Sequence, residues 1–309
     1  MAARRVGGGL ALLGAGGASG CWLYANQHRW RPLALDAPLR PDASLACRLA
    51  SVKQLTHDTS RFRFELPSSE HSLGLPCASH ILAVDNAMVA RAYTPVSDPH
   101  TKGHFDLVVK RYPNGYFSER FHRMEPGDVM DFRGPVTTLQ YEPNAARSLG
   151  LIAGGTGITP MYQIIRTVLA DPEDRTQLRL LYASKSRGDV LLGEELEALA
   201  ARHPEQLQVR YLLERDGAGG AAAGPAATTG RVSAETIRGF LPPPTAARTA
   251  LFVCGPPPMM VALCGPPQGT RGERGRLSGG LLRRMRAVEE NLGIEGVLTA
   301  LMPASNAIF

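Results

Sequence analysis

Two short segments rich in small residues constrain the fold of this chain more than any other feature. The first runs from Leu151 to Met161 and reads as an apolar strand that breaks into glycines before a helix. The second runs from Ala250 to Met259 and repeats this order, with Cys254 to Pro256 as its turn. Glycines after a strand let the backbone approach a pyrophosphate at a helix N-terminus. The pair predicts a dinucleotide cleft at two strand ends of one α/β unit.

Length and composition limit the class of protein. A chain of 309 residues suggests two domains, and its 44% hydrophobic and 20% charged residues are ordinary for a globular protein. The net charge of +6 fits an acidic partner or an anionic membrane surface. Because no basic stripe is interleaved with aromatic residues, we expect no nucleic-acid partner. The five cysteines form no CxxC pair, which argues against a disulfide framework or a metal site and favours a reducing compartment.

The first 25 residues are predicted to be a membrane anchor or targeting segment. Arg4 and Arg5 precede the uncharged stretch 6–25, which is about as long as a membrane span. Seven of those residues are glycine, so the stretch is only weakly hydrophobic. A signal anchor with the catalytic part facing the cytosol is the first interpretation. A mitochondrial transit peptide is the second, and a disordered leader the third.

Residues 26–44 read as a proline-broken linker, and residues 45–143 as a small antiparallel β-barrel. The barrel prediction depends on strands of period-two alternation, separated by turns containing Pro, Gly and Asn. Examples are the segments 61–66, 80–84 and 105–110.

After Pro143 the pattern of apolar residues changes from alternating strands to strands that alternate with helices. Residues 144–309 are therefore predicted to form an α/β domain with a parallel sheet covered on both faces. Strands are expected at 149–153, 178–183, 207–214 and 251–253, with helices at 161–170 and 191–202. The Gly- and Ala-rich segment 216–230 is predicted to be a long surface loop.

A cluster of polar residues follows one predicted barrel strand. Arg91 can pair with a phosphate, the Tyr93 ring can stack on a flat heterocycle, and the Thr94 hydroxyl can bond a ring nitrogen. These are the groups that a flavin needs. The alternative is a plain barrel edge with a solvated arginine and a core tyrosine.

Three further positions are candidates for binding charged or polar parts of a cofactor. Residues 114–118 precede a helix predicted at 119–124, whose N-terminus favours an anion, although Ser118 could simply cap the helix. Lys110 ends a strand and could meet a phosphate or an acidic partner, or be solvated. Glu214, with Asp216 as its rival, could bond the hydroxyls of an adenosine ribose and disfavour an extra phosphate there.

Residues 45 to about 265 closely resemble the NADH–cytochrome b5 reductase family of ferredoxin reductase-like flavoproteins. The order and spacing of the matching segments make the resemblance specific. These segments are 56–59 with 61–64, 73–76, 91–95, 105–110, 132–135, 154–161, 189–192, 241–244 and 254–260.

The resemblance implies an FAD-binding barrel followed by an NADH-binding α/β domain. In this family NADH gives a hydride to FAD, which then passes single electrons to a haem protein such as cytochrome b5. By position, the implied FAD contacts are Arg91, Ala92, Tyr93, Thr94, Val108, Lys110, Tyr116, Phe117, Ser118 and Phe309. The implied nicotinamide-nucleotide contacts are Gly154, Gly155, Thr156, Gly157, Thr159, Glu214, Cys254, Gly255, Pro256 and Met259, and the residues assigned to catalysis are Thr94, Lys110 and Cys254.

The chain departs from the family pattern at two places. Ala92 stands where the family usually has proline, which should loosen the turn slightly. The family also ends in a short strand with a terminal aromatic residue against the flavin. Here an Arg/Gly-rich insert at 265–280 and a predicted helix at 281–291 precede the terminal Phe309.

The expected protein is a monomeric reductase on the endoplasmic reticulum or the mitochondrial outer membrane, with the mitochondrial interior as the alternative location. Its expected acceptor is cytochrome b5 or a similar haem protein. Two rival functions stay open: the same flavin module serving another acceptor, such as a quinone or a ferric chelate, and a non-catalytic scaffold disabled by the altered tail.

Overall fold

The computed structural model describes residues 38–85, 89–215, 227–242, 248–264 and the backbone of 298–301. It contains two six-stranded sheets, one antiparallel and one parallel. The strands are β1 (Leu45–Thr56), β2 (Thr59–Glu65), β3 (Ser79–Val84), β4 (Ala90–Tyr93), β5 (His104–Lys110), β6 (Val129–Thr137), β7 (Ser148–Gly154), β8 (Gln177–Ser184), β9 (Leu207–Leu213), β10 (Ala227–Thr229), β11 (Thr249–Cys254) and β12 (Leu298–Leu301). The helices are α1 (Tyr116–Arg123), α2 (Ile158–Ala170), α3 (Gly193–Arg202), α4 (Ala234–Arg238) and α5 (Pro257–Cys264).

The antiparallel sheet has the strand order β4-β3-β6-β1-β2-β5 and curls around an aromatic core. Its two edges approach each other where the Val96 amide, just after β4, donates 2.9 Å to the Asp106 carbonyl of β5. Alternation of apolar and polar residues sends every second side chain inward. Those inward side chains include Phe62, Phe64 and Phe132, all fully buried. The predicted antiparallel barrel is confirmed.

The parallel sheet has the strand order β10-β9-β8-β7-β11-β12. One face is covered by α2 and α3, whose buried side chains include Ile165 and Leu196. The other face is covered by α4 and α5, through side chains such as Ile237 and Leu263. The predicted parallel sheet with helices on both faces is confirmed. Helices lie on both faces because parallel strands are apolar on each side and must be covered.

Three boundaries differ from those expected from the sequence. The helix predicted at 119–124 begins three residues earlier, at Tyr116. Residues 227–229 of the predicted surface loop form β10, which pairs with β9. This strand could not be predicted from composition, because it is held by backbone hydrogen bonds to β9. Leu39, within the predicted linker, is 2% exposed in the barrel core.

Two other predicted features of the chain fall beyond the residues described. The N-terminal segment 1–25 and the insert and helix expected over 265–291 both lie outside them. Of the helices in the described ranges, none is both long and apolar enough to cross a membrane.

Candidate cofactor site

The edge strand β4 presents one cation and one buried hydroxyl to the same region. Arg91 is half-buried. Within the described residues its guanidinium makes one hydrogen bond, in which Nη1 donates 2.8 Å to the neighbouring Ala90 carbonyl. Tyr93 is 2% exposed and packs in the barrel core with its ring 5.0 Å from Phe121, so the prediction that this ring stacks on a flat cofactor is wrong. Its hydroxyl has no hydrogen-bond partner within the described ranges. Burial raises the pKa of Tyr93, so the phenol stays protonated and able to donate.

The orphaned Tyr93 hydroxyl is the observation that tests whether a cofactor fits here. Buried polar groups in proteins almost always have a partner, and an orphan costs about 1–3 kcal/mol. A polar heterocycle beside β4 would satisfy the Tyr93 hydroxyl, and an adjoining phosphate would pair with Arg91. Thr94, buried directly after this strand, adds a second hydroxyl. The donor set therefore fits FAD.

The N-terminus of α1 supplies backbone donors for an anion. Gly115 is the N-cap and makes no side-chain capping bond, so the first amides of the helix lack both an intrahelical acceptor and a cap. Ser118 lies inside the helix, where its hydroxyl accepts 3.1 Å from the Tyr112 amide and donates 3.1 Å to the Gly115 carbonyl. Ser118 therefore shapes the loop instead of capping the helix, and an uncapped helix N-terminus suits a pyrophosphate.

Phe117 and Tyr116 differ in how they can contribute to this site. Phe117 as a whole residue is 2% exposed and packs in the barrel core, so its side chain is not available to a cofactor. The Tyr116 ring is 58% exposed and lies 5.3 Å from Phe117 in an edge-on arrangement. An exposed aromatic side chain at a helix N-terminus can stack on a bound ring.

The glycine loop after β7 packs directly against the loop after β11. A Cβ atom on Gly157 would overlap the Cys254 carbonyl, and one on Gly154 would approach the Met259 sulfur to 2.5 Å. Gly155 has a φ of +53° with open space beside it, which a side-chain-bearing residue would adopt only with strain. The two loops meet at adjacent strands, since β7 pairs with β11. Glycine is thus needed for close packing at two positions and for backbone conformation at a third.

Thr156 and Thr159 lie in the turn that opens α2. Both are buried, and the Thr159 hydroxyl donates 3.2 Å to the Thr156 carbonyl. The N-cap of α2, Gly157, makes no side-chain capping bond. The Ile158 amide already bonds the Gly155 and Thr156 carbonyls, and Pro160 has no amide hydrogen, so neither residue can donate a backbone hydrogen bond to a ligand.

Cys254 ends β11 beneath this turn. Its side chain is fully buried, and burial raises the pKa of its thiol from 9.0 to about 12. The thiol is thus neutral at physiological pH and has no nucleophilic character. Of the neighbours assigned from the sequence, Gly255 is buried and Pro256 is exposed. Cys254 thus packs beneath the glycine loop, with its carbonyl against Gly157.

Tyr182 supports the glycine loop, a role that sequence reasoning missed. Its hydroxyl donates 3.1 Å to the Gly155 carbonyl and accepts 3.1 Å from the Leu191 amide. Tyr182 is fully buried on β8. A tyrosine directly after the apolar pair Leu180–Leu181 of a central strand is the signal that could have revealed it, because buried hydroxyls need partners.

Lys110 is held by an aspartate that the sequence analysis gave no role. Its Nζ lies 2.7 Å from Asp58 Oδ2, across the β2–β5 ladder. Burial alone would raise the pKa of Asp58, but hydrogen bonds from Lys110 and Thr59 hold it below its usual value. His57 extends this network, with its ring nitrogens 3.3 Å from Asp58 and 3.5 Å from Asp189 of the α/β domain. Lys110 is thus paired with an acidic residue of the chain itself and is not solvated, which the sequence analysis did not anticipate.

Glu214 lies directly after β9, as expected for an acid that contacts a ribose. Its amide donates 3.0 Å to the Ser184 carbonyl at the end of β8, and its Oε1 lies 3.1 Å from Arg231 Nε. Ligands of open α/β sheets bind at such carboxyl ends of strands. Asp216 and Phe309, the other sequence candidates, lie outside the described residues.

The barrel and the α/β domain share a buried interface. Val108, on β5, packs in the same core cluster as Ile158 of α2, so its side chain faces the α/β domain. The Gln163 side chain accepts 3.1 Å from the Ser79 amide and donates 3.1 Å to the Ser79 carbonyl. The interface thus holds the strand before Lys110 and the glycine loop in one place.

Comparison with known proteins gives the same two-part division. Residues 46–141 match the oxidoreductase FAD-binding domain family, and residues 151–265 match the oxidoreductase NAD-binding domain family. FAD and a nicotinamide nucleotide are therefore the cofactors of these two domains.

Full-length relatives and a solved structure are similar along most of the chain. NADH-cytochrome b5 reductase 2 of Coccidioides immitis is 38% identical over 286 residues, covering 88% of this chain and 85% of the relative. NADH-cytochrome b5 reductase 1 of Lodderomyces elongisporus is 42% identical over 228 residues, covering 73% of this chain and 74% of the relative. The cytochrome b5 reductase domain of Ulva prolifera nitrate reductase aligns with a TM-score of 0.68 at 31% identity, covering 85% of this chain and 99% of that domain. The chain belongs to the NADH-cytochrome b5 reductase family of flavin-dependent oxidoreductases.

Proposed function

We propose that this protein transfers electrons from NADH, through FAD, to cytochrome b5 or a similar haem protein. The observation that carries the proposal is the shared interface, where the strand bearing Val108 and the glycine-loop helix bearing Ile158 contribute to one core cluster. Flavin and nicotinamide rings must stack for transfer, so their two sites must open onto one junction. The membership of the chain in the reductase family supports the same activity.

Each part of the site has a separate task in this function. Arg91 and the N-terminus of α1 bind the FAD pyrophosphate, while Tyr93 and Thr94 orient the flavin ring. Thr156 and Thr159, with the neutral Cys254 beneath, shape the surface that receives the nicotinamide. When bound, FAD supplies the chemistry, since it accepts two electrons from NADH and releases them singly.

Lys110 positions the strand end between the two cofactor sites and does not act as a free cation. Its ion pair with Asp58 is mostly buried, with 19% and 21% of the side chains exposed. The pair fixes the end of β5 against the β1–β2 turn. A fixed strand end keeps Val108 and the flavin site aligned with the glycine loop.

The membrane location is also a proposal, supported by the sequence of the first 25 residues. We infer that this segment anchors a monomeric enzyme to the endoplasmic reticulum or the mitochondrial outer membrane, with the catalytic domains in the cytosol. Carbonate extraction of cell membranes would test it. The full chain should stay in the membrane pellet, and a variant that begins at residue 26 should appear in the supernatant.

The experiment that tests the activity is anaerobic mixing of the purified, full-length, FAD-loaded protein with NADH in a stopped-flow absorbance instrument. We expect rapid loss of the flavin band, followed by its return when oxidised cytochrome b5 is added. A flavin that NADH cannot reduce would favour the non-catalytic scaffold. A flavin that NADH reduces but only a quinone or a ferric chelate reoxidises would favour a different acceptor.

A further inference from the structure

Among the described residues, the carboxyl ends of β8, β9 and β10 carry more positive than negative side chains around Glu214. The Glu214 amide bonds the Ser184 carbonyl, and the Arg215 amide bonds the Lys185 carbonyl at 2.9 Å, so these two loops run side by side. Lys185, Arg215 and Arg231 are all exposed. In the part of this region that the structure describes, three cations thus accompany one carboxylate at the place where an open α/β sheet binds the adenosine ribose.

Backbone geometry places Arg231 beside Glu214. β10 runs parallel to β9, with Thr229 opposite Leu213. The Gly230 amide then donates 2.8 Å to the Leu213 carbonyl, and Gly230 has a φ of +138°, which turns the chain at once. The residue after this turn therefore lies next to the residue after β9. The Arg231–Glu214 contact follows from the pairing of two strands and one glycine.

The contact uses only part of the Arg231 guanidinium. Nε lies 3.1 Å from Glu214 Oε1, and the side chain is 82% exposed. Within the described ranges the structure records no other partner for Arg231. Its terminal nitrogens can therefore face a ligand, in the fork geometry that suits phosphate oxygens.

An acid at this position favours a ribose with a free 2′-hydroxyl, whereas an arginine accommodates a 2′-phosphate. This chain has both, in contact with each other. We propose that Arg231 is a second specificity-determining residue, which binds the 2′-phosphate of NADPH, so that the enzyme accepts NADPH as well as NADH. This inference rests on the proposed function, because it assigns the adenosine ribose to the end of β9. Glu214 bonds the ribose of NADH, and the terminal nitrogens of Arg231 bind the 2′-phosphate of NADPH.

Equilibrium binding tests the proposal without turnover. The oxidised, FAD-loaded, full-length protein is titrated with NAD⁺ and with NADP⁺, which differ only in the 2′-phosphate, by isothermal titration calorimetry. For the unsubstituted protein we expect the two dissociation constants to lie within about tenfold of each other, since one charge-assisted phosphate contact offsets one carboxylate.

Three variants give the direction of the effect. Arg231→Ala should weaken NADP⁺ binding about tenfold and leave NAD⁺ binding nearly unchanged. Arg231→Lys should restore part of the loss, because it keeps the charge without the planar fork. Glu214→Gln should tighten NADP⁺ binding and weaken NAD⁺ binding. Arg202→Ala, which removes an exposed arginine at the end of α3, is the matched control and should change neither constant.

The two proposals fail in different ways. If NAD⁺ binds while the NADP⁺ constant does not respond to Arg231→Ala, Arg231 has no role in specificity and the proposed function stands. If NAD⁺ does not bind and NADH does not bleach the flavin, the proposed function is wrong, and the inference about Arg231 is wrong as well. If NADP⁺ binds more than a hundredfold more weakly than NAD⁺ to the unsubstituted protein, dual use of the nucleotides is wrong.

Discussion

Tyr93 places a buried hydroxyl beside the predicted flavin without a partner from the described chain. Tyr93→Phe removes this orphan, so the apoprotein should be as stable as before or slightly more stable. FAD affinity should fall about tenfold, the value of a hydrogen bond lost to the cofactor. Titration of apoprotein with FAD, followed by flavin fluorescence, measures the second effect, and thermal unfolding measures the first.

Tyr211 offers a matched control for the Tyr93 substitution. Its hydroxyl is also buried and without a partner in the described residues, but it lies on β9 in the α/β domain. Tyr211→Phe should therefore leave FAD affinity unchanged. Equal losses of FAD affinity in both variants would show that the Tyr93 effect is not local to the flavin site.

Arg91 should contribute to FAD retention through its charge. No acidic partner for its guanidinium appears among the described residues. Arg91→Ala is expected to weaken FAD binding by about tenfold to a hundredfold, because a charge-assisted bond contributes about 1.5–3 kcal/mol. The ratio of flavin to protein after gel filtration measures this. Arg48→Ala, at an exposed arginine on β1, should stay fully loaded, and a fully loaded Arg91→Ala protein would refute the phosphate pairing.

His80 should make the protein sensitive to acid. It is buried on β3, and burial lowers its pKa from 6.5 to about 4, so the folded state holds the ring neutral. The unfolded state binds a proton below pH 6.5. The neutral, buried His80 therefore stabilises the folded state fully above pH 6.5. This stabilisation, about 3 kcal/mol of the free energy of unfolding, is lost as the pH falls from 6.5 towards 4.

His80→Gln isolates this contribution from that of the carboxylates. The free energy of unfolding in urea is compared at pH 7.0 and pH 4.5 for both proteins. The unsubstituted protein should lose about 2–3 kcal/mol more than the variant over this interval. Parallel losses in the two proteins would mean that His80 is protonated at the same pH in the folded and unfolded states.

At the scale of elements, the close packing of the two strand-end loops makes a prediction of its own. Gly157→Ala would drive a methyl group into the Cys254 carbonyl, so we expect a loss of about 1–3 kcal/mol of stability with weaker nucleotide binding. Urea unfolding and NAD⁺ calorimetry measure the two effects. Gly188→Ala is the control, since its Cβ would meet nothing closer than the Ser186 hydroxyl at 3.9 Å. Similar losses in both variants would contradict the packing argument.

The elements also show where sequence patterns are informative. Strands β2, β3 and β5 were predicted within two residues because alternation follows directly from strand geometry. The start of α1 was misplaced because the tyrosine and phenylalanine at its beginning carry no helix-start signal, and its N-cap is a glycine. The strand β10 was missed because its three residues belong to a Gly- and Ala-rich segment and are held by pairing with β9.

At the scale of the whole molecule, Gln163 connects the two domains. Gln163→Ala would leave the Ser79 amide and carbonyl unpaired at a buried site, at a cost of about 1–3 kcal/mol. Urea unfolding is monitored both by flavin release and by circular dichroism. The urea concentration at the midpoint of flavin release should be lower in the variant than in the unsubstituted protein. Gln177→Ala, at an exposed position at the start of β8, should change neither midpoint. An unchanged flavin-release midpoint in Gln163→Ala would show that the domains are held together elsewhere.

The order of the two domains and the two glycine loops could be predicted from the amino-acid sequence, because strand alternation and glycine before a helix are local patterns. The family and its cofactors were predicted from the resemblance of ordered segments to a known family. Which groups meet across the chain emerged only from the three-dimensional fold. The fold paired Lys110 with Asp58, placed Tyr182 under the Gly155 carbonyl and set Arg231 against Glu214. Such contacts join residues far apart in sequence, and strand order and register, which local patterns do not encode, bring them together.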